Sequence, residues 1–168
     1  MNEDRLGTVS RTGDTFELVF ERRIAKPVEK VWAAITVPER IADWFAIVEI
    51  DPRLGGHYRL RFSPEETPTE GVIVEYEPLR RLAHTWPDPD HADAIIRYEL
   101  EPDGDGCRLR FTQSGLPAKY VESIAGWHVF LDAIPGAIDG VRFVWSMEQE
   151  KAVLQLYKDR LAAVGVSI

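Results

Sequence analysis

Disulfides are the first thing this chain cannot have, because Cys107 is the only cysteine among its 168 residues. Positive charge is also scarce: 20 Lys and Arg stand against 28 Asp and Glu, for a net charge of −8. That balance removes the electrostatic footprint that nucleic acid or an anionic membrane surface requires. No apolar run approaches the ~18 residues of a membrane span. The start Met1-Asn2-Glu3-Asp4 lacks the basic and then apolar stretches of a signal peptide. Histidines number four, His57, His84, His91 and His128. None stands at an H-x-H or H-x-x-x-H spacing from another, so no metal site is expected. These absences imply a soluble, cytoplasmic protein that needs no cofactor and takes neither nucleic acid nor membrane insertion as a partner.

What remains is an ordinary globular composition, 45% hydrophobic and 29% charged, in a length that suits one domain. Residues 1–14 are polar and aperiodic and read as a flexible leader. Thr15–Ile24 alternates as a half-buried strand, with Phe16, Leu18, Phe20 and Ile24 on one face and Val19 and Arg22 interrupting the pattern. Pro27 is placed to start a helix whose apolar stripe is Val28, Val31, Trp32 and Ile35. Thr36-Val37-Pro38-Glu39 has the spacing of a capping box and opens a second short helix that ends at Trp44-Phe45.

Residues 46–114 read as strands separated by turn chemistry. Gly55-Gly56 forms a hairpin into a segment where Tyr58, Leu60 and Phe62 face inward and His57, Arg59 and Arg61 outward. Further strands are expected at 72–76, 82–86, 94–100 and 107–112, the last two joined through Pro102-Asp103-Gly104-Asp105-Gly106. The paired arginines, including Arg22-Arg23 and Arg108/Arg110, are assigned to a solvated outer sheet face. Beyond Gly115-Leu116-Pro117 the period turns helical, through Val121, Ile124, Trp127, His128, Leu131 and Ile134. Pro135-Gly136 is expected to kink or end that helix, and an amphipathic helix follows over 144–164. The order predicts an α+β fold with a curved antiparallel sheet of about seven strands wrapped on a long C-terminal helix. Residues 15–139 form the domain, and 140–168 form a helical extension packed on it or on a partner.

Several segments carry a resemblance. Pro27-Val28-Glu29-Lys30-Val31-Trp32, Arg81-Leu82-Ala83-His84-Thr85-Trp86, the strand from Gly106 through Phe111 to Leu116, and Gly126-Trp127-His128 resemble the helix-grip, START-like (Bet v-like) superfamily. Within it the chain is similar to the small bacterial relatives of the C-terminal domain of the heat-shock-protein-90 ATPase activator. The resemblance covers about residues 16–135. It implies a helix-grip fold with a cavity between sheet and helix, and roles that include apolar ligand binding, cyclase or lyase chemistry, and chaperone stimulation in a stress response. Two departures are Cys107, where the family often has Thr, and Gln113, where it often has His; the second weakens an acid or base at that strand end.

The residues offer little chemistry of their own. Cys107 reads as a small buried hydrophobe, and the Asp88-Pro89-Asp90-His91-Ala92-Asp93 stretch reads as a solvated loop, not an ion site. His84 and His128 are each either a satisfied core residue or a cavity polar group. The aromatics Trp44, Phe45, Tyr58, Phe62, Trp86, Tyr98, Phe111 and Trp127 either fill the core or line a pocket, with Leu131 beside them. Arg97 is the one charge placed to orient an acidic ligand group. Three functions stay open: binding of a small hydrophobic or amphipathic molecule, a cyclase, dehydratase or hydrolase activity using a cavity His or Arg, and a co-chaperone-like module. The corresponding partners are a small hydrophobic molecule, a second copy in a homodimer, and a chaperone.

Overall fold

The computed structural model describes residues 5–86 and 94–168. Their strands are β1 (Thr8–Thr12), β2 (Thr15–Ile24), β3 (Ile47–Ile50), β4 (His57–Arg61), β5 (Thr69–Glu77), β6 (Arg81–Thr85), β7 (Ile95–Asp103) and β8 (Gly106–Pro117). Helices α1 (Val28–Thr36) and α2 (Pro38–Ile41) lie between β2 and β3, and α3 (Ser123–Ile138), α4 (Met147–Leu156) and α5 (Lys158–Ala163) follow the last strand. All the described strands join one antiparallel sheet in the order β1-β2-β8-β7-β6-β5-β4-β3. β3 to β8 form a meander of neighbours. Helices α1 and α2 carry the chain from β2 to the far edge, and α3 returns to cover the curved sheet as a helix-grip.

Each element follows from local chemistry, with four corrections to the sequence reading. Residues 1–14, expected as a loose leader, include β1, which pairs with β2 from Thr8↔Val19 to Thr12↔Thr15. Its side chains are almost all exposed, so backbone pairing alone makes it a strand. The capping box does not form: Val37 is the residue before α2, and the Thr36 hydroxyl donates back to the Trp32 carbonyl at 2.7 Å. Pro27 precedes α1 with an extended ψ instead of occupying its first turn. Finally, α3 runs through Pro135 and ends at Ile138. The missing proline N–H falls in the last turn, and the true stop is Gly140 at φ +87°, where Val141 N–H donates to Gly136 O and Gly140 N–H to Ala137 O.

On β2 the inward face is Phe16, Leu18, Phe20, Arg22 and Ile24, so Arg22 belongs to the core face and not to the solvated one. The other arginines do form an outer ladder: Arg110 pairs with Glu21 at 2.7 Å and Arg97 with Glu75 at 2.6 Å. At the β3–β4 hairpin Gly56 is pressed against the Asp51 carbonyl, which an added Cβ would approach to 2.0 Å. Gly56→Ala is therefore expected to destabilise the fold by about 2 kcal/mol or more, read as a lowered urea midpoint. A midpoint equal to that of the parent chain would show that the turn opens freely.

Among the described residues no helix is long and apolar enough to cross a membrane, and no cluster of His, Cys, Asp and Glu has metal-binding geometry.

Candidate functional site

The long helix does not seal against the sheet along its whole length. Near its N-terminal half a cleft of about 460 Å³ opens between α3, the end of β8, the junction of α2 with β3, and the start of α4. Its wall is aromatic. The Phe45 ring lies 4.9 Å from Trp127, 5.1 Å from Phe130, 5.6 Å from Phe62 and 6.3 Å from Trp86. Trp127 in turn lies over Phe111 at 4.3 Å, with Phe111 buried beneath it in the core. Edge and tilted contacts of this kind fix ring orientation, which keeps the wall rigid.

Polar groups enter this wall at few points. Trp127 Nε1–H donates to Gln113 Oε1 at 2.8 Å, which fixes the amide and leaves its NH2 as the donor it can offer. Ser123 opens α3 with its Oγ buried and without a hydrogen-bond partner among the described residues. Thr69 and Tyr120 lie at the lining as well. Glu150 comes from α4 and accepts a hydrogen bond from Trp145 Nε1–H at 2.6 Å. That carboxylate lies against α3 at Gly126, where an added Cβ would sit 3.6 Å from it in ordinary contact. Ser146 caps α4 by accepting from the Gln149 N–H, so the helix that carries Glu150 has a defined start.

Of the residues expected at a cavity, Phe45, Phe62, Trp86 and Trp127 line this cleft. Phe62 was expected to face inward, and instead it is 54% exposed at the rim. Trp44, Tyr58, Tyr98, Phe111 and Leu131 are buried core, with Trp44 Nε1–H donating to the Ala34 carbonyl at 2.8 Å. Arg97 alternates with buried Ile96 and Tyr98, which puts it on the other sheet face, where Glu75 holds its guanidinium. It is therefore not available to orient a ligand in the cleft. His91 and its neighbouring aspartates lie outside the described residues.

His84 and His128 are both buried and both lie away from the lining. His84 stacks on Tyr58 with ring centroids 3.7 Å apart and places Nδ1 3.0 Å from the Thr85 carbonyl; its Nε2 has no partner. Burial pushes its pKa down to about 4, against a small opposing effect of the Thr85 carbonyl. His128 points to the opposite side of α3. Its Nδ1 lies 2.7 Å from the Tyr157 hydroxyl, which also accepts from Gly7 N–H, and its Nε2 lies 3.4 Å from Asp132 Oδ2. Asp132 Oδ1 receives Arg22 Nε–H at 2.8 Å and Arg5 Nη2–H at 2.9 Å. This network ties β2, α3, α5 and the N-terminal segment together. Burial likewise pushes the Tyr157 phenol up, to about 12.

Residues that sequence reasoning did not select are Gln113, Ser123, Phe130 and Glu150 in the cleft, and Arg22 and Asp132 in the network. Phe130 stands three positions after Trp127, a helical spacing that was available as a signal. Arg22 announced itself only as a break in an alternation.

Comparison with known proteins agrees with the fold. The family model described as "Activator of Hsp90 ATPase homolog 1-like protein" matches residues 25–139. Among solved structures, CalU16 from Micromonospora echinospora is similar at 25% identity with a TM-score of 0.75, covering 95% of this chain and 96% of that one. EF2215 from Enterococcus faecalis, a conserved protein of unknown function, superposes with a TM-score of 0.77 at 21% identity, covering 94% and 91%. DynU16, from the dynemicin biosynthetic locus, gives 0.67 at 22% identity, covering 80% of this chain and 52% of that one. The last two likenesses concern the fold alone. No curated protein matches the chain.

Proposed function

The chain belongs to the family of Activator of Hsp90 ATPase homolog 1-like proteins, and from that premise we propose that it binds a small, largely aromatic molecule in the cleft beside α3. The observation that carries this reading is the wall itself: six aromatic side chains, Phe45, Phe62, Trp86, Tyr120, Trp127 and Phe130, around about 460 Å³, with a few polar groups among them. That is the usual make-up of a small-molecule site, apolar for affinity and sparsely polar for orientation. The buried Ser123 Oγ, unpartnered among the described residues, is a group that a ligand would satisfy.

The lining supports binding better than catalysis. General acid–base chemistry is served best by two groups that titrate near the working pH and converge on one reacting centre, and the described lining holds one carboxylate, the Tyr120 phenol and no His, Lys, Arg or Cys. The two buried histidines are occupied elsewhere, His84 against Tyr58 and His128 against Tyr157.

N-phenyl-1-naphthylamine, a neutral fluorophore, is expected to brighten on binding the chain. Gly126→Leu, which puts a side chain into the cleft from the floor of α3, is expected to weaken that binding at least about tenfold while the cooperative unfolding transition is retained. Absence of any fluorescence gain in the parent chain, or binding undiminished in Gly126→Leu, would count against the cleft as the site.

A further inference from the structure

The cleft contains a single formal charge among its described lining residues, and it comes from outside the segment that matches the family. That segment ends at residue 139, whereas Glu150 belongs to α4 in the C-terminal extension. The extension thus supplies the one strongly polar group of an otherwise aromatic site.

We propose that the ligand of this cleft carries a cationic group, such as a protonated amine, on an aromatic body, and that Glu150 receives that group; this rests on the ligand-binding reading above. Three observations converge. First, no ion pair joins Glu150 to a lysine or arginine among the described residues, and the one side-chain hydrogen bond it has there, from Trp145, reaches Oε2 and leaves Oε1 without a donor. A neutral apolar ligand covering that carboxylate would desolvate it without compensation, and an anionic one would meet it with like charge. Second, the carboxylate is held in position. Trp145 fixes Oε2 from one side, and on the other the carboxylate lies against α3 at Gly126. A carboxylate that is merely solvated has no need of that indole. Third, Phe45, Trp86, Trp127 and Phe130 line the same cleft as the carboxylate, and aromatic rings attract a cation wherever it can reach a ring face. The net charge of −8 adds a long-range field of the same sign. The polarity is the reverse of the sequence expectation, in which Arg97 was to orient an acidic ligand.

The test compares three naphthalene probes of one shape by calorimetry on the full chain at neutral pH: 2-(1-naphthyl)ethylamine, 2-(1-naphthyl)ethanol and 1-naphthylacetic acid. The amine is expected to bind about tenfold tighter than the alcohol, and the acid weakest of the three. In Glu150→Gln the advantage of the amine over the alcohol is expected to fall to about twofold or less, with the alcohol bound at least as tightly as by the parent chain, and an unchanged urea midpoint reports an intact fold. Equal binding of amine and alcohol to the parent chain, or an advantage that survives in Glu150→Gln, overturns the proposal and leaves the ligand-binding reading standing. Failure of all three probes removes the ligand-binding reading and this proposal with it.

Discussion

Replacing Asp132 with alanine is expected to lower the unfolding free energy by about 3 kcal/mol, which equilibrium urea denaturation would read directly. Arg22 lies only 4% exposed beneath α3, and Asp132 is its anionic partner, at 2.8 Å. Burial lowers the Arg22 pKa, and the Asp132 charge and hydrogen bond oppose that shift. Without the carboxylate, a guanidinium would stay in the core with an Nη2 that already has no partner. Removing both charges is a different experiment. The double variant Arg22→Met with Asp132→Leu is expected to recover most of the loss, because a well-packed apolar pair avoids the desolvation of two ions. A loss below about 1 kcal/mol in Asp132→Ala would mean that water reaches Arg22 and that the network matters little. Burial raises the Asp132 carboxyl, but the His128 ring and the charges of Arg22 and Arg5 outweigh it and hold the group below its ordinary value. Its stabilising contribution is thus complete above the unfolded-state value near pH 4 and disappears as pH falls through the lower folded-state value.

A second large effect is expected at milder acidity. His84 has a folded-state pKa of about 4 because it is buried, against about 6.5 in an unfolded chain. Between those two values only the unfolded chain takes up the proton. Stability should therefore be full above about pH 6.5 and decline by about 3 kcal/mol on the way to pH 4, at 1.36 kcal/mol per unit. His84→Gln is expected to flatten this slope whatever it does to stability at neutral pH. An unchanged slope in that variant would assign the acid sensitivity to another group.

The helix-grip outline was legible because its inward positions keep strict periods. Tyr58 and Leu60 alternate on β4, Ile96, Tyr98 and Leu100 on β7, and Ile124, Trp127, Leu131 and Ile134 recur at helical spacing on α3. Where burial and hydropathy separate, the reading failed. Arg22 is charged and inward, so it looked like an error in the pattern of β2. β1 buries almost nothing, so it has no hydrophobic pattern to read. Glu150 lies on a helix with an ordinary charged surface, and only the path of the chain from Gly140 to Ser146 brings it over Gly126. Alternation also could not separate a core aromatic from a lining one. Tyr98 and Trp127 both point inward, and only the gap at one end of α3 decides which of them meets the cleft.

The placement of β2 between β1 and β8 has a consequence for how this chain is made. Glu21 and Arg110 face each other across that pairing although 89 residues separate them. The meander from β3 to β8 closes only short loops as it lengthens, so it assembles in chain order, hairpin by hairpin. β2 can pair at once with β1 on one edge, but its other edge must wait for β8, and its inward row of Phe16, Leu18, Phe20 and Ile24 must wait for α3. On the ribosome this long apolar strand thus emerges well before the elements that cover it. That interval, more than the finished fold, is when this chain is most exposed to misassociation.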